Sequence, residues 1–249
     1  MSSLEGRVAL VTGSAMNIGR ATALMLAREG AKVMVHAKSN ADGVAETRGL
    51  IGAAGGEADG HLADLSTWDG AKGAIDAVVA RFGRIDILVN NAAVRRNTPI
   101  TEMSWEEWRD VLASSLDCAF LTIRHAAPHM VAQKWGRIVN LGGISMFAGT
   151  PGRSHVSAAK SGMIGMSRAA ASELGPHNVT INVVSPGMID TVRGGAAGAR
   201  PNASSMTHIP MRREGRPEEI AHVITMLCRP EGAYTTGQTI EVNGGSHFI

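Results

Sequence analysis

The run Arg7-Val8-Ala9-Leu10-Val11-Thr12-Gly13-Ser14-Ala15-Met16-Asn17-Ile18-Gly19, continuing as RATALMLAREG to Gly30, decides the fold. An apolar, β-rich stretch enters a glycine-bearing turn and leaves it as a helical pattern. In such a turn the backbone N–H groups and the helix N-terminus are placed to meet a pyrophosphate. Asn17 occupies a slot where many such turns carry glycine, and asparagine visits the left-handed region more readily than other side-chain-bearing residues.

The pattern repeats along the chain. The short runs RVALVT, KVMVHA, GHLA, IDILVN, RIVNL, VTINVV and TIEVN alternate with alanine-rich stretches of helical period. That alternation predicts an α/β fold, a doubly wound parallel sheet of about seven strands with right-handed crossovers and helices on both faces. No linker or internal repeat interrupts it, so residues 1–249 are expected to form a single domain. The least regular part is 188–215, where RGGAAGAR and PNASS lack periodicity; a loop of that length in a compact domain is read as a lid over a site.

Composition narrows the function. With 24 Lys+Arg against 22 Asp+Glu and no basic run, nucleic-acid and membrane-surface binding are not expected. Cys118 and Cys228 are too few and too far apart to suggest a disulfide framework or a zinc site. No metal is expected, and a reducing, cytoplasmic setting is. The N-terminal segment has neither a basic leader nor a long apolar run, and no span long enough to cross a bilayer is read.

Ordered motifs then carry a family resemblance. Thr12-Gly13 to Gly19 matches a TGxxxGxG turn with Asn17 for its middle glycine, and Asn90-Asn91-Ala92-Ala93 is similar to an NNAG motif after the fourth strand. Asp64-Leu65, Ser185-Pro186-Gly187 with Thr191, Tyr234 to Gln238 and Asn243-Gly244-Gly245 complete the series. In these features the chain resembles the short-chain dehydrogenase/reductase family from end to end. The resemblance implies a Rossmann-like fold, an NAD(P)(H) cofactor and oxidoreductase activity. Its implied cofactor site comprises Gly13, Met16, Asn17, Ile18, Gly19, Lys38, Ser39, Asp64, Leu65, Asn91, Ala92, Ala93, Lys160, Pro186, Gly187, Ile189 and Thr191.

Cofactor choice is read after the second strand, where an acidic residue would hydrogen-bond a free ribose 2′-hydroxyl. Here stand Ala37, Lys38 and Ser39, so NADP(H) is favoured through Lys38 while NAD(H) stays open. Met16 weakens that preference, since NADP-preferring relatives often carry a basic residue there.

The proton-transfer residues depart from the family pattern. The stretch Ser154-His155-Val156-Ser157-Ala158-Ala159-Lys160 aligns with the family's YxxxK, which puts Val156 at the tyrosine; Gly143 falls at the serine and Ser115 at the asparagine. Lys160 remains, and Ser145 and His155 are the nearest replacement candidates. For His155 an ordinary helix-surface role is expected, with proton donation as the alternative. Arg95 and Arg96 follow the NNAA motif and point to an anionic substrate, against the plainer reading of solvated loop charges.

An atypical oxidoreductase is therefore expected, one that reduces an iminium or imine, an activated carbonyl or a C=C bond. A catalytically silent NAD(P)-binding sensor or partner subunit is one alternative. A non-redox, dehalogenase-like lyase is the other. The resemblance also implies a homo-oligomer, a tetramer, through helical stretches at 103–133 and 154–174.

Overall fold

Seven parallel strands hydrogen-bond in the order β3-β2-β1-β4-β5-β6-β7. They are β1 (Val8–Val11), β2 (Lys32–Ala37), β3 (Ala58–Leu62), β4 (Ile87–Asn90), β5 (Gly136–Leu141), β6 (Val179–Pro186) and β7 (Thr239–Val242). All seven sequence-predicted strand runs are present. The structure is a computed structural model that describes residues 3–192 and 203–248, the side chains of 203–205 excepted.

The helices are α1 (Asn17–Arg28), α2 (Ala41–Ala53), α3 (Trp68–Phe82), α4 (Trp105–Leu112), α5 (Cys118–Gln133), α6 (Ser145–Ala148), α7 (Ser154–Leu174) and α8 (Pro217–Cys228). Strand alternation sorts them into two layers. Ala9 and Val11 of β1, with Val33 and Val35 of β2, pack on Ala23 and Leu26 of α1 and on Ile220, Ile224 and Leu227 of α8. Val8 and Leu10, with Met34, face Ile75 and Val78 of α3, Ile123 and Met130 of α5, and Ala171 of α7. Every residue of β1, β4, β5 and β6 is buried, as expected for parallel strands covered on both faces.

Short polar signals start the helices. Asn40, Thr67 and Ser104 accept hydrogen bonds from the N–H groups of Gly43, Gly70 and Glu107. Gly83 closes α3 in the left-handed region, at φ 81°. The expected helical stretch at 103–133 is divided: a π-helical turn at Ala113–Asp117 separates α4 from α5 and buries Ser115. A π-turn inserts one extra residue into the helical repeat, which periodicity alone does not reveal.

Among the described residues no helix is long and apolar enough to cross a membrane. Cys118 and Cys228 are buried free thiols, each pushed up to about 12 by desolvation. The strand order reverses direction between β1 and β4. Crevices that bind ligands in such sheets open there, at the carboxyl ends of the strands.

Candidate functional site

The turn after β1 is built for close approach. A Cβ on Gly19 would lie 2.3 Å from the Gly13 carbonyl oxygen, and Gly13 itself sits at φ 62° against Ala92. Asn17 adopts φ 53°, so asparagine does supply the left-handed position expected of it. Its side chain also does something the sequence did not suggest. Asn17 Nδ2 donates to the Val192 carbonyl at 2.9 Å, and its Oδ1 accepts from the Val192 N–H at 3.0 Å, tying the turn to the segment after β6.

The NNAA motif locks the turn from the other side. Asn91 Nδ2 donates to the carbonyls of Thr12 and Gly13, and Thr12 Oγ1 accepts from the N–H groups of Asn91 and Ala92. Below it Thr122, Asn90, Asn140 and Ser167 form a buried hydrogen-bonded chain linking α5, β4, β5 and α7. His36 on β2 is a residue that motif reading missed. Its Nδ1 accepts from the Gly13 N–H at 3.3 Å and its Nε2 lies 3.1 Å from the Ala63 carbonyl. The ring is therefore neutral, and desolvation lowers its pKa to about 4.

No side chain caps α1, and no acidic residue occupies its first turn. Backbone donors and the positive end of the helix dipole are thus left for an anion, in a cradle that a Cβ at Gly19 would fill. These features fit a dinucleotide pyrophosphate. Lys38 lies beyond β2 as expected, but its ammonium is 2.6 Å from Asp64, whose carboxyl is held down at about 2 by Lys38 and Ser66. The charge expected to be open for a 2′-phosphate is shared with that carboxylate.

A cleft of about 310 Å³ opens at the ends of β5 and β6. Ile18, Pro186, Gly187, Ile189 and Thr191 bring the phosphate-turn side and the β6 side together in its wall. Gly143, Ser145, Val156 and Lys160 form the opposite side, and Arg95 and Arg153 also line it. No tyrosine, histidine, cysteine or carboxylate is among the described residues that line this cleft. The chain's single tyrosine, Tyr234, is fully exposed outside it.

Lys160 is buried and donates to the Leu141 carbonyl. Desolvation, then the nearby Arg95 charge, lower its pKa to about 7. The expected surface role of His155 is corrected. Its side chain is fully buried, outside the cleft lining, and Nε2 lies 3.1 Å from Glu107 across the α4–α7 contact. The 100° turn from Val156 to its neighbour rotates it off the cleft and into the core. Ser145 does reach the cleft. The pair Arg95-Arg96 divides: Arg95 lines the cleft and Arg96 is 2.6 Å from Asp110. Arg153, which precedes α7, was not singled out from the sequence, because a lone charge before a helix carries no motif.

Of the segment 188–215, Met188, Ile189 and Thr191 line the cleft, Ile189 bridges to Gly215, and 203–208 form a 3-10 turn. The part at 193–202 lies outside the described residues.

Comparison with known proteins settles the lineage. Residues 13–247 match the family model described as enoyl-(acyl carrier protein) reductase. The chain belongs to the short-chain dehydrogenase/reductase family. A 3-oxoacyl-(acyl-carrier-protein) reductase of Thermotoga maritima is 38% identical over 97% of this chain and 98% of that protein. The corresponding reductase of Vibrio cholerae is 36% identical over 99% of this chain and 100% of that one. Among solved structures of the family, a protein described as a short-chain alcohol dehydrogenase from Sinorhizobium meliloti superposes with a TM-score of 0.93 at 35% identity, covering 98% and 97% of the two chains. Acetoin dehydrogenase from Enterobacter cloacae superposes at 0.89 with 39% identity, covering 97% and 95%. These relatives carry the names of reductases and dehydrogenases.

Proposed function

We propose that this chain binds NADP(H) in preference to NAD(H) and catalyses hydride transfer without a phenolic proton donor. In this reading Gly143 and Val156 stand where relatives have the catalytic serine and tyrosine, and Ser115 stands for the asparagine. One observation carries it: the cleft wall beside Lys160 is made by glycine and valine, while the only tyrosine is exposed elsewhere.

When bound, the nicotinamide supplies or takes up a hydride. The protein's part is to hold it. Gly13 to Gly19 cradle the pyrophosphate, Asp64 and Leu65 face the adenine, and Lys38 meets the 2′-phosphate at the expense of its pairing with Asp64. Asn91, Ala92, Ala93, Pro186, Gly187, Ile189, Thr191 and Lys160 position the nicotinamide and its ribose. The 188–215 segment acts as the lid, supported by Met188, Ile189 and Thr191 in the cleft wall. We further propose a cytoplasmic homotetramer acting on a small molecule.

Val156 has no proton to give, so substrates that need little proton donation are favoured: iminium ions, activated carbonyls and activated C=C bonds. A positioned acid contributes about 10²–10⁴-fold, whereas holding the reactants together can supply roughly 7–11 kcal/mol of the barrier. Hydride transfer therefore survives the loss.

The double variant Gly143→Ser/Val156→Tyr tests this. A Cβ at Gly143 meets nothing within 4 Å, so the serine has room. Simple-ketone reduction with NADPH is expected to rise by roughly 10²–10⁴-fold, and cyclic-imine reduction far less. Fast ketone reduction by the parent, unchanged in the double variant, would overturn the reading. Tight NADPH binding with no turnover of any probe would replace it with a silent nucleotide-binding protein.

A further inference from the structure

The charge on the substrate side of the cleft is one-sided. Arg95 enters from the loop after β4, Arg153 from the residue before α7, and Lys160 from one turn beyond Val156. Among the described lining residues there is no carboxylate to offset them. Arg96 lies 2.6 Å from Asp110 and is not among the lining residues, so the sequence pair is divided and only Arg95 contributes charge to the lining. Cations gathered at a concave, partly desolvated wall focus a positive potential into it, and an anion seated there relieves their mutual repulsion.

The rest of the wall limits what that anion can be attached to. Ile144, Val156 and Met188 are apolar, Ser145 and Thr150 offer hydroxyls, and the volume is about 310 Å³. Part of that space adjoins the proposed nicotinamide site, which leaves room for a compact molecule. A planar guanidinium offers paired donors that match a carboxylate's two oxygens.

We propose that the substrate is a small carboxylate-bearing electrophile, its carboxylate held by Arg95 and Arg153 and its C=N or activated C=O group turned toward Val156 and Lys160. The inference rests on the hydride-transfer reading above and names its substrate class. For a cyclic iminium the step balances without a protein acid. A hydride from NADPH forms the new C–H bond, the C=N π pair moves to nitrogen, and the iminium proton stays on the amine product. NADPH is oxidised by two electrons. The carboxylate brings affinity, and the iminium brings the proton that Val156 cannot.

Two probes of similar shape separate charge from fit: 1-pyrroline-2-carboxylate and uncharged 2-methyl-1-pyrroline. Calorimetric titration into the NADP+-saturated protein reads binding without turnover, and NADPH oxidation then gives KM and kcat for each. The carboxylate probe is expected to bind at least ten-fold tighter than the neutral one. Arg95→Gln and Arg153→Gln are each expected to weaken the carboxylate probe about ten-fold or more and raise its KM, with the neutral probe within two-fold. Charge-assisted hydrogen bonds have that reach. Arg153→Lys should recover part of the loss, keeping charge without the two-pronged fork.

Because each variant is judged by the ratio of two probes in the same protein, a general loss of folding cannot mimic the result. Equal binding of both probes, no binding of either, or variants that weaken both alike would overturn the carboxylate assignment. Selective carboxylate binding without hydride transfer to any probe would instead leave the assignment standing and overturn the oxidoreductase reading.

Discussion

His36 couples the phosphate turn to the third strand through a ring that must stay neutral. Its Nδ1 accepts from Gly13 and its Nε2 faces the Ala63 carbonyl, so a second ring proton would displace the Gly13 contact. Desolvation holds its pKa at about 4 against an ordinary 6.5. The unfolded chain therefore takes up a proton on cooling the pH below 6.5 while the folded chain does not. Stability from this group is complete above pH 6.5, is lost as pH falls toward 4 and changes no further below it. The full loss is about 3 kcal/mol, at 1.36 kcal/mol per unit. Urea unfolding of the parent and of His36→Asn between pH 7 and 4 is expected to show a shallower decline in the variant. Parallel declines would remove His36 as the cause. The sequence KVMVHA gave no hint of this, since a histidine at the end of a buried strand reads only as a strand residue.

At the scale of elements, α5 and α7 leave an apolar groove between them. Phe120, Ile123 and Val131 of α5 face Met166, Ala170 and Leu174 of α7 around a depression of about 440 Å³, and Phe120 is half exposed. The proposed homotetramer would bury this face, as the helical stretches of relatives do. Phe120→Glu would place a charge in that interface, where desolvation is costly unless the charge is paired. Light scattering at micromolar concentration is expected to give a mass several times 26 kDa for the parent and to shift toward a monomer for the variant. A monomeric parent would overturn the assembly. The length of α7 was legible from Ser154 to Leu174 because its apolar residues recur at helical spacing. The division of 103–133 was not. A π-turn is set by how Ser115 packs in the tertiary structure, and its single extra residue leaves the apolar pattern on either side intact.

For the whole molecule, nucleotide binding should appear as stability. At one hundred times its dissociation constant NADPH is expected to contribute about 2.7 kcal/mol, and thus to raise the melting midpoint by about 5–10 °C for a chain of this size. NADH at the same concentration should raise it less, and Lys38→Ala should erase the difference. Equal shifts unaffected by that substitution would overturn the NADPH preference. No shift with either would overturn the nucleotide site.

By itself the sequence determined the seven strands, the phosphate turn and the family, because each rests on local patterns: two-residue alternation, helical spacing and glycine where the backbone must come close. It also placed Lys160 one helical turn from Val156. The tertiary structure alone decided what surrounds those residues. It turned His155 into the core against Glu107, paired Lys38 with Asp64, and set Arg153 in one cleft with Arg95, 58 positions away in the chain. Charges and burial depend on neighbours that are distant in sequence and adjacent only after the sheet has formed. For that reason the cofactor side of the site could be read from motifs, while the electrostatics of the substrate side could not.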